Sequence, residues 1–119
     1  MNALLDYLHL DGVNILGWSD GGNTGLIMAM KYPKKVKRLV TMGANVFIDK
    51  TVVDRWVFKL LNKEKKELNG DSLYNNKNRL RLIELLLTEP KHSFEELKTI
   101  ACEVLVIAGE KDIINLSSV

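Results

Sequence analysis

The arrangement of apolar and polar positions is most informative between residues 13 and 30. Residues 13–16 (VNIL) form a short, mainly apolar run that predicts a buried strand. A glycine-rich turn (GWSDGG) follows at residues 17–22, and an apolar segment of helical length continues to Met30. Residues 26–30 are apolar on every side, which is typical of a helix packed against a sheet. We therefore predict a strand, a sharp turn and a buried helix.

Two further segments predict strands. Residues 36–42 (VKRLVTM) end at a Gly-Ala pair, and residues 104–108 (VLVIA) are the most β-branched part of the chain. Pro33 ends the helix before the first of these segments. The path from strand to helix to strand takes about thirty residues, which is the length of a right-handed βαβ crossover. The predicted fold class is therefore α/β, with a three-stranded parallel sheet.

The segment between the second and third strands has the pattern of helices. Apolar residues recur at helical spacing over residues 52–61, with Asp49 or Thr51 as the expected cap. A second helix is predicted over residues 72–87, and a serine–glutamate capping box opens a third at residues 93–100. We expect three domain parts: residues 1–44 with the first two strands, a helical segment at 45–100, and residues 101–119 with the last strand.

The turn at residues 17–22 contains the sequence pattern G-x-S-x-G, with Gly17, Ser19 and Gly21 at its fixed positions. Between a strand and a helix, this pattern is typical of a nucleophile elbow. We expect that a Cβ at either glycine would collide with the neighbouring backbone, and that Ser19 has a strained backbone conformation with an exposed hydroxyl. The alternative interpretation is a glycine-rich turn in which Ser19 only caps the following helix.

Composition and charge limit the other possibilities. The chain has 119 residues, which allows one domain at most, and its formal net charge of +2 is too small to indicate nucleic acid or a membrane as a partner. The single cysteine, Cys102, is expected to be a small buried apolar residue, which suits a cytoplasmic protein. The start of the chain has no signal-peptide pattern. The sequence contains neither a metal-ligand cluster nor a phosphate-binding lysine motif, so we expect no metal and no cofactor.

The order of the motifs, strand-GWSDGG-helix, strand, helical segment and strand-GEKD, resembles the α/β-hydrolase family. The GWSDGG turn and the following KYP…LV…GAN pattern are similar to small-substrate esterases and to the valacyclovir-hydrolase and C–C hydrolase branches. The resemblance implies that Ser19 is the nucleophile and that Asp112, in GEKD, is the acid, with Asp49 as a weaker alternative. It also implies that residues 45–100 form a cap over a site for a small-molecule substrate.

The resemblance assigns further roles around the nucleophile. The backbone N–H of Asp20 is expected to supply half of an oxyanion hole. Trp18 is expected either to form a wall of the pocket or to pack beneath it. Gly17 and Gly21 are expected to permit the tight turn.

The family's catalytic histidine is expected after the acid, whereas His9 and His92 both precede Asp112. We expect His9 at the end of a helix over residues 3–10, and His92 in a loop or at a helix start. The sequence therefore resembles the middle of a hydrolase, with open sheet edges through which the chain is expected to associate. Two hypotheses follow: a serine hydrolase that is incomplete as given, or a truncated or domain-swapped fragment without catalytic activity and with a role in binding or assembly.

Overall fold

A computed structural model of the chain describes residues 1–48, 51–70 and 73–114. Within these residues, three parallel strands form one sheet in the spatial order β1 (Val13–Trp18), β2 (Val36–Met42) and β3 (Glu103–Ile107). The central strand has the bounds predicted from the sequence, β1 continues to Trp18, and β3 begins and ends one residue earlier than expected. Because the strands are parallel neighbours, their carboxyl ends lie at one edge of the sheet.

The crossover from β1 to β2 contains α2 (Asp20–Lys31), which packs against one face of the sheet. The helix approaches the sheet closely at Gly25, where an added Cβ would lie 2.6 Å from Cδ1 of Leu39. Tyr32 ends the helix, and a short 3₁₀ turn, Pro33–Lys35, leads into β2. The buried residues of this core come from α2, from β2 and, with Leu5, from the beginning of the chain: Leu5, Met28, Ala29, Val36 and Leu39. Cys102 packs against this core and is half-buried, so the expected burial is confirmed in part.

Among the residues that the structure describes between β2 and β3, three helices are found: α3 (Arg55–Leu68), α4 (Tyr74–Thr88) and α5 (Phe94–Leu97). The first two lie side by side and are joined by an ion pair between Arg79 and Glu64 at 2.5 Å and another between Lys65 and Glu84 at 3.0 Å. None of the helices in the described ranges is long and apolar enough to cross a membrane.

The starts of these helices differ in part from the sequence prediction. Asp54 precedes α3 as its N-cap, so the expected cap at Thr51 is wrong, and Asp49 lies outside the described residues. The capping box before α5 is confirmed. Glu96 donates its backbone N–H to Oγ of Ser93 at 3.2 Å, and its carboxylate accepts the N–H of Ser93 at 2.7 Å.

The helical segment joins the carboxyl edge of the sheet through two isolated bridges. Phe47 pairs with Lys91, and Val53 pairs with Ile114 in the segment that follows β3. Val53 and Ile114 are buried together with Val52 in a second apolar cluster. This cluster fixes the segment after β3 against the beginning of α3.

The helix at the start of the chain, α1 (Asn2–Tyr7), is shorter than expected. Leu5 is buried, whereas Leu4 and Leu8 are exposed. The ammonium of Lys35 lies 2.6 Å from carboxylate oxygens of both Asp6 and Asp11, and holds this segment beside β2. The hydrogen bonds that Lys35 donates to the carboxylate of Asp11 and then to that of Asp6 raise the pKa of Lys35.

The second face of the sheet has no covering element among the described residues. Leu16, Val40 and Leu105 are paired across the three strands and therefore share this face. Leu16 is 72% exposed and Leu105 is 58% exposed. Every residue of β3 is exposed. A parallel sheet is normally covered on both faces, so this apolar surface is unusual.

Candidate active site

Ser19 occupies the sharp turn between β1 and α2. Its φ is +53° and its ψ is −123°, a conformation that non-glycine residues rarely adopt, and its side chain is exposed. The backbone N–H of Ser19 donates to the carbonyl of Met42 at 2.8 Å, which ties the turn to the end of β2. The side chain makes no capping hydrogen bond, which contradicts the alternative that Ser19 only caps the helix. The expected strained turn with an exposed serine is confirmed.

The glycines of the turn do not all have the predicted role. A Cβ at Gly17 would collide with the carbonyl of Gly21 and lie 2.6 Å from the amide nitrogen of Gly22, so this part of the prediction is confirmed. The prediction for Gly21 is wrong, because a Cβ there would meet no atom within 4 Å. Gly22 is the second crowded position, since its Cβ would lie 2.8 Å from Cβ of Ala44. The helix therefore turns Gly22 towards the sheet and Gly21 away from it.

Asp112 lies at the carboxyl end of β3, beside the end of β2. Its carboxylate oxygen Oδ2 is 3.0 Å from the point that a Cβ on Gly43 would occupy, and Gly43 has a φ of +58°. Its other oxygen, Oδ1, accepts the N–H of Ile114 at 3.2 Å. A cavity of about 400 Å³ at this edge of the sheet is lined by Trp18, Ser19, Gly43, Lys111, Asp112, Ile113 and Ile114. Ser19 and Asp112 therefore share one cavity.

Trp18 lies beside Ser19 and contributes to the wall of this cavity, with 76% of its residue surface exposed. Of the two expectations for Trp18, lining the pocket is the one that the structure favours. The side chain belongs to the uncovered face of the sheet, since Trp18 pairs with Met42 two residues beyond the pair of Leu16 and Val40.

A second cavity next to Ser19 lies between the sheet edge and the helical segment. Its volume is about 210 Å³, and Ser19, Asp20 and Asn45 contribute to it from the sheet side. Glu89 is the polar lining residue from the helical segment. The remaining lining residues are aliphatic or aromatic: Ile48, Val53, Val57, Phe58, Leu61, Leu86, Ile113 and Ile114. The cavity is suited to a compact apolar group placed beside the serine hydroxyl.

Asn45 is a lining residue that the sequence analysis missed. It is buried, hydrogen-bonds to Asn23 of α2, and donates its side-chain amide to the carbonyl of Phe47 at 3.0 Å. These bonds hold the chain that leaves β2 against the first turns of α2. Asn45 directly follows the Gly-Ala pair after β2 and therefore lies at the carboxyl edge of the sheet. This position in the sequence could have identified it as a lining residue.

Neither histidine lines the cavity of about 400 Å³ or the cavity of about 210 Å³ beside Ser19. His9 follows α1 with a φ of +53° and is exposed. His92 precedes the N-cap of α5, as predicted, and its Nδ1 lies 3.5 Å from Oε1 of Glu96. It lines a neighbouring cleft of about 380 Å³, to which Asp20 and Glu89 also contribute. The backbone hydrogen bond from Ser93, followed by the contact with His92, lowers the pKa of Glu96.

The first turn of α2 points its N–H groups at the serine. Asp20 is the first residue of this helix, so its N–H has no acceptor within the helix. The amide groups of Gly22 and Asn23 donate to the carbonyl of Ser19 at 2.8 and 3.1 Å. Within the described ranges, no group of three or more metal-ligating side chains is close enough together to hold a metal ion.

Comparison with known proteins agrees with this arrangement. A family model for the α/β hydrolase fold matches residues 1–88. The mouse serine hydrolase BPHL is 32% identical over 123 aligned residues, which cover 92% of this chain and 42% of that protein. A Pseudomonas putida 2-hydroxy-6-oxo-2,4-heptadienoate hydrolase is 49% identical over 42 residues, covering 35% of this chain and 15% of that protein.

Solved structures show the same fold. The carboxylesterase CesB of Bacillus subtilis superposes with a TM-score of 0.64 at 23% identity, and the match covers 98% of this chain and 49% of that one. The chain therefore spans about half the length of the structure it matches, and 42% of mouse BPHL. The family model matches well over half of the chain, which confirms the resemblance found in the sequence. The chain belongs to the α/β-hydrolase fold family.

Proposed function

We propose that this chain provides the nucleophile and the acid of a serine hydrolase that acts on small esters, amides or related carbonyl compounds. Ser19 is the nucleophile, and Asp112 is the acid that orients the catalytic base. The observation that carries the proposal is the positive φ of Ser19 at an exposed turn, beside a cavity that it shares with Asp112. A strained nucleophile held at the carboxyl edge of a parallel sheet is typical of this reaction.

The reaction begins when a base removes the hydroxyl proton of Ser19 and Oγ attacks the acyl carbonyl of the substrate. The carbonyl oxygen then becomes negatively charged, and in this proposal it accepts a hydrogen bond from the N–H of Asp20, the first residue of α2. Collapse of the tetrahedral intermediate expels the alcohol or amine, which takes the proton from the base. Water repeats the sequence on the acyl-enzyme, releases the acid and restores Ser19.

The substrate in this proposal is small and mainly apolar near the reacting carbonyl. The cavity of about 210 Å³ next to Ser19 has mostly aliphatic and aromatic lining, with side chains from the helical segment opposite the serine. In the proposal, residues 45–100 therefore act as a cap that selects the substrate by shape. The proposed location is the cytoplasm, based on a single cysteine and hence no intrachain disulfide.

A second candidate is a catalytically silent fragment with a role in binding or assembly. It is favoured by the position of the histidines, because His9 and His92 are both missing from the lining of the 400 Å³ and 210 Å³ cavities beside Ser19. A serine without a base is a weak nucleophile, and removal of one triad member leaves little catalysis. The base of the proposed hydrolase is therefore either His92, after movement of the helical segment, or a histidine from outside these 119 residues.

A fluorophosphonate probe distinguishes these candidates. Covalent labelling of the folded chain that is lost in Ser19→Ala and kept in Ser93→Ala supports the hydrolase. Loss of labelling in His92→Gln as well identifies His92 as the base. If the chain alone is not labelled, imidazole is added as a substitute base. Labelling that then appears in the parent chain and is absent in Ser19→Ala also supports the hydrolase. A folded chain that stays unlabelled with imidazole supports the silent fragment.

A further inference from the structure

The outer face of α3 carries a row of cations that neither the fold nor the proposed catalysis explains. Arg55, Lys59, Lys63 and Lys66 are all exposed and line one shallow groove of about 700 Å³, together with Phe58 and Asn62. At 100° and 1.5 Å per residue, the four cations lie within an arc of about 80° and over a length of about 16 Å. We call these four residues the basic stripe.

Little negative charge balances the basic stripe. Lys63 lies 3.8 Å from Glu67 on the same helix, and no other carboxylate in the described ranges is within ion-pair distance of the stripe. The two other charged residues of this helix that form ion pairs, Glu64 and Lys65, contact α4 instead. The four cations of the stripe and the carboxylate of Glu67 therefore carry a formal local charge of +3.

Large apolar side chains border the basic stripe on one side. Trp56 is 55% exposed and Leu60 is 54% exposed. Around the helix axis, these two side chains lie about 20° and 60° beyond the edge of the basic stripe. The cations and the apolar groups therefore form one continuous exposed surface. The buried side of the helix is formed by other residues, such as Val57, which packs against the cluster of Val53 and Ile114. Trp56 and Leu60 are therefore available to a partner.

We propose that this face of α3 binds the surface of a membrane that contains anionic lipids. A helix with a basic row beside exposed tryptophan and leucine is suited to lie in the interface, with the cations at the headgroups and the apolar side chains below them. A row of about 16 Å also fits an extended surface better than a single small anion. The whole-chain net charge of +2 gave no indication of a membrane, because it averages this local charge with acidic residues elsewhere.

The apolar border distinguishes a membrane from a soluble polyanion. A nucleic acid or an acidic peptide would engage the stripe through charge alone and leave Trp56 in water. A lipid surface would instead transfer the Trp56 indole into a less polar environment. Phe58 lines both the groove and the cavity next to Ser19, so the membrane would lie close to the helical wall of that cavity. The binding itself does not depend on the proposed hydrolase activity.

Vesicle flotation tests the proposal, because floating vesicles carry bound protein upwards whereas self-associated protein sinks. The chain is mixed with vesicles of phosphatidylcholine alone or with phosphatidylserine at physiological salt. We expect flotation only with phosphatidylserine. The triple variant K59Q/K63Q/K66Q should bind on the order of 100-fold more weakly, since each lysine near an anionic surface contributes about five-fold. The matched variant K31Q/K34Q/K37Q removes the same charge from another exposed part of the chain and should bind like the parent.

Fluorescence provides the second readout. In a Trp18→Phe background, Trp56 is the single tryptophan, and its emission should shift to shorter wavelength when anionic vesicles are added. Absence of flotation with phosphatidylserine would overturn the proposal, as would equal weakening by the two triple variants. Binding to single-stranded DNA or polyglutamate as tight as to vesicles, with no shift of the Trp56 emission, would identify a soluble polyanion and also overturn it.

Discussion

Asn23 and Asn45, which are 22 residues apart in the chain, exchange two hydrogen bonds in the interior. The side-chain amide of Asn23 donates to Oδ1 of Asn45 at 3.1 Å, and its Oδ1 accepts the backbone N–H of Asn45 at 2.9 Å. Both residues are buried. The pair therefore fixes the helix that follows Ser19 to the chain that leaves the neighbouring strand.

Replacement of Asn23 by alanine should destabilise the fold. It removes both hydrogen bonds between Asn23 and Asn45 and leaves the backbone N–H and the Oδ1 of Asn45 without these partners in the interior, which costs about 1–3 kcal/mol. The free energy of unfolding, measured by urea denaturation, should fall by this amount. The control is Asn62→Ala, because Asn62 makes an exposed bond to the carbonyl of Phe58. Equal stability of the two variants would show that the buried pair has no special role.

The glycines of the turn give a second prediction with an internal control. Gly17→Ala should destabilise by about 3 kcal/mol or more, because its Cβ would collide with backbone atoms of Gly21 and Gly22 that cannot move independently. Gly21→Ala should change stability by less than about 1 kcal/mol, since the position is open and alanine favours the helix. Thermal unfolding of the two variants tests this contrast. A Gly21→Ala variant as unstable as Gly17→Ala would contradict the described turn.

The uncovered face of the sheet gives a third prediction, which continues the expectation of self-association. We propose that the chain associates through this face and its neighbouring strand edges, because Leu16, Leu105 and the rest of β3 are exposed to water. Leu105→Lys should weaken association by at least about tenfold, because burial of one leucine is worth about 1.5–3 kcal/mol.

Light scattering after size-exclusion chromatography, over a range of concentrations, measures this association. The control is Leu82→Lys, which places the same charge at an exposed leucine of α4, away from the sheet. A monodisperse monomer of the parent chain would refute self-association. Equal effects of the two lysine variants would assign the contact to another surface.

The G-x-S-x-G pattern between a strand and a helix indicated Ser19, and the resemblance to α/β-hydrolases indicated Asp112. Each residue follows a strand that the pattern of apolar residues identifies, and parallel strands place their carboxyl ends at one edge. The bounds of β2 were also predictable, since a proline turn precedes the strand and Gly43 follows it. These features depend on local patterns and on one rule of sheet topology.

Other features depend on how α2 is rotated about its axis, which the pattern of residues did not specify. That rotation turns Gly22 rather than Gly21 towards Ala44, and it brings Asn23 within reach of Asn45. The i, i+3 spacing of Gly22 and Gly25 would have indicated the face that approaches the sheet. Because Gly21 occupies a fixed position of the G-x-S-x-G pattern, the close approach was predicted at Gly21 instead.

The ion pair between Glu64 and Arg79 gives the last prediction, which concerns pH. Arg79, through a hydrogen bond and its charge, lowers the pKa of Glu64 below its ordinary value of 4.5. A carboxylate with a lowered pKa in the folded state contributes stability above its unfolded pKa and loses that contribution as the pH falls through the folded pKa. The difference in unfolding free energy between the parent and Glu64→Gln should therefore be constant near neutral pH and shrink as the pH falls below about 4.5. Urea titrations at a series of pH values measure this difference.

The exposed Glu110, which forms no ion pair with the described residues, provides the control Glu110→Gln. A difference for Glu64→Gln that grows towards acid pH would be the opposite of this expectation and would show that the ion pair does not stabilise the packing of α3 and α4.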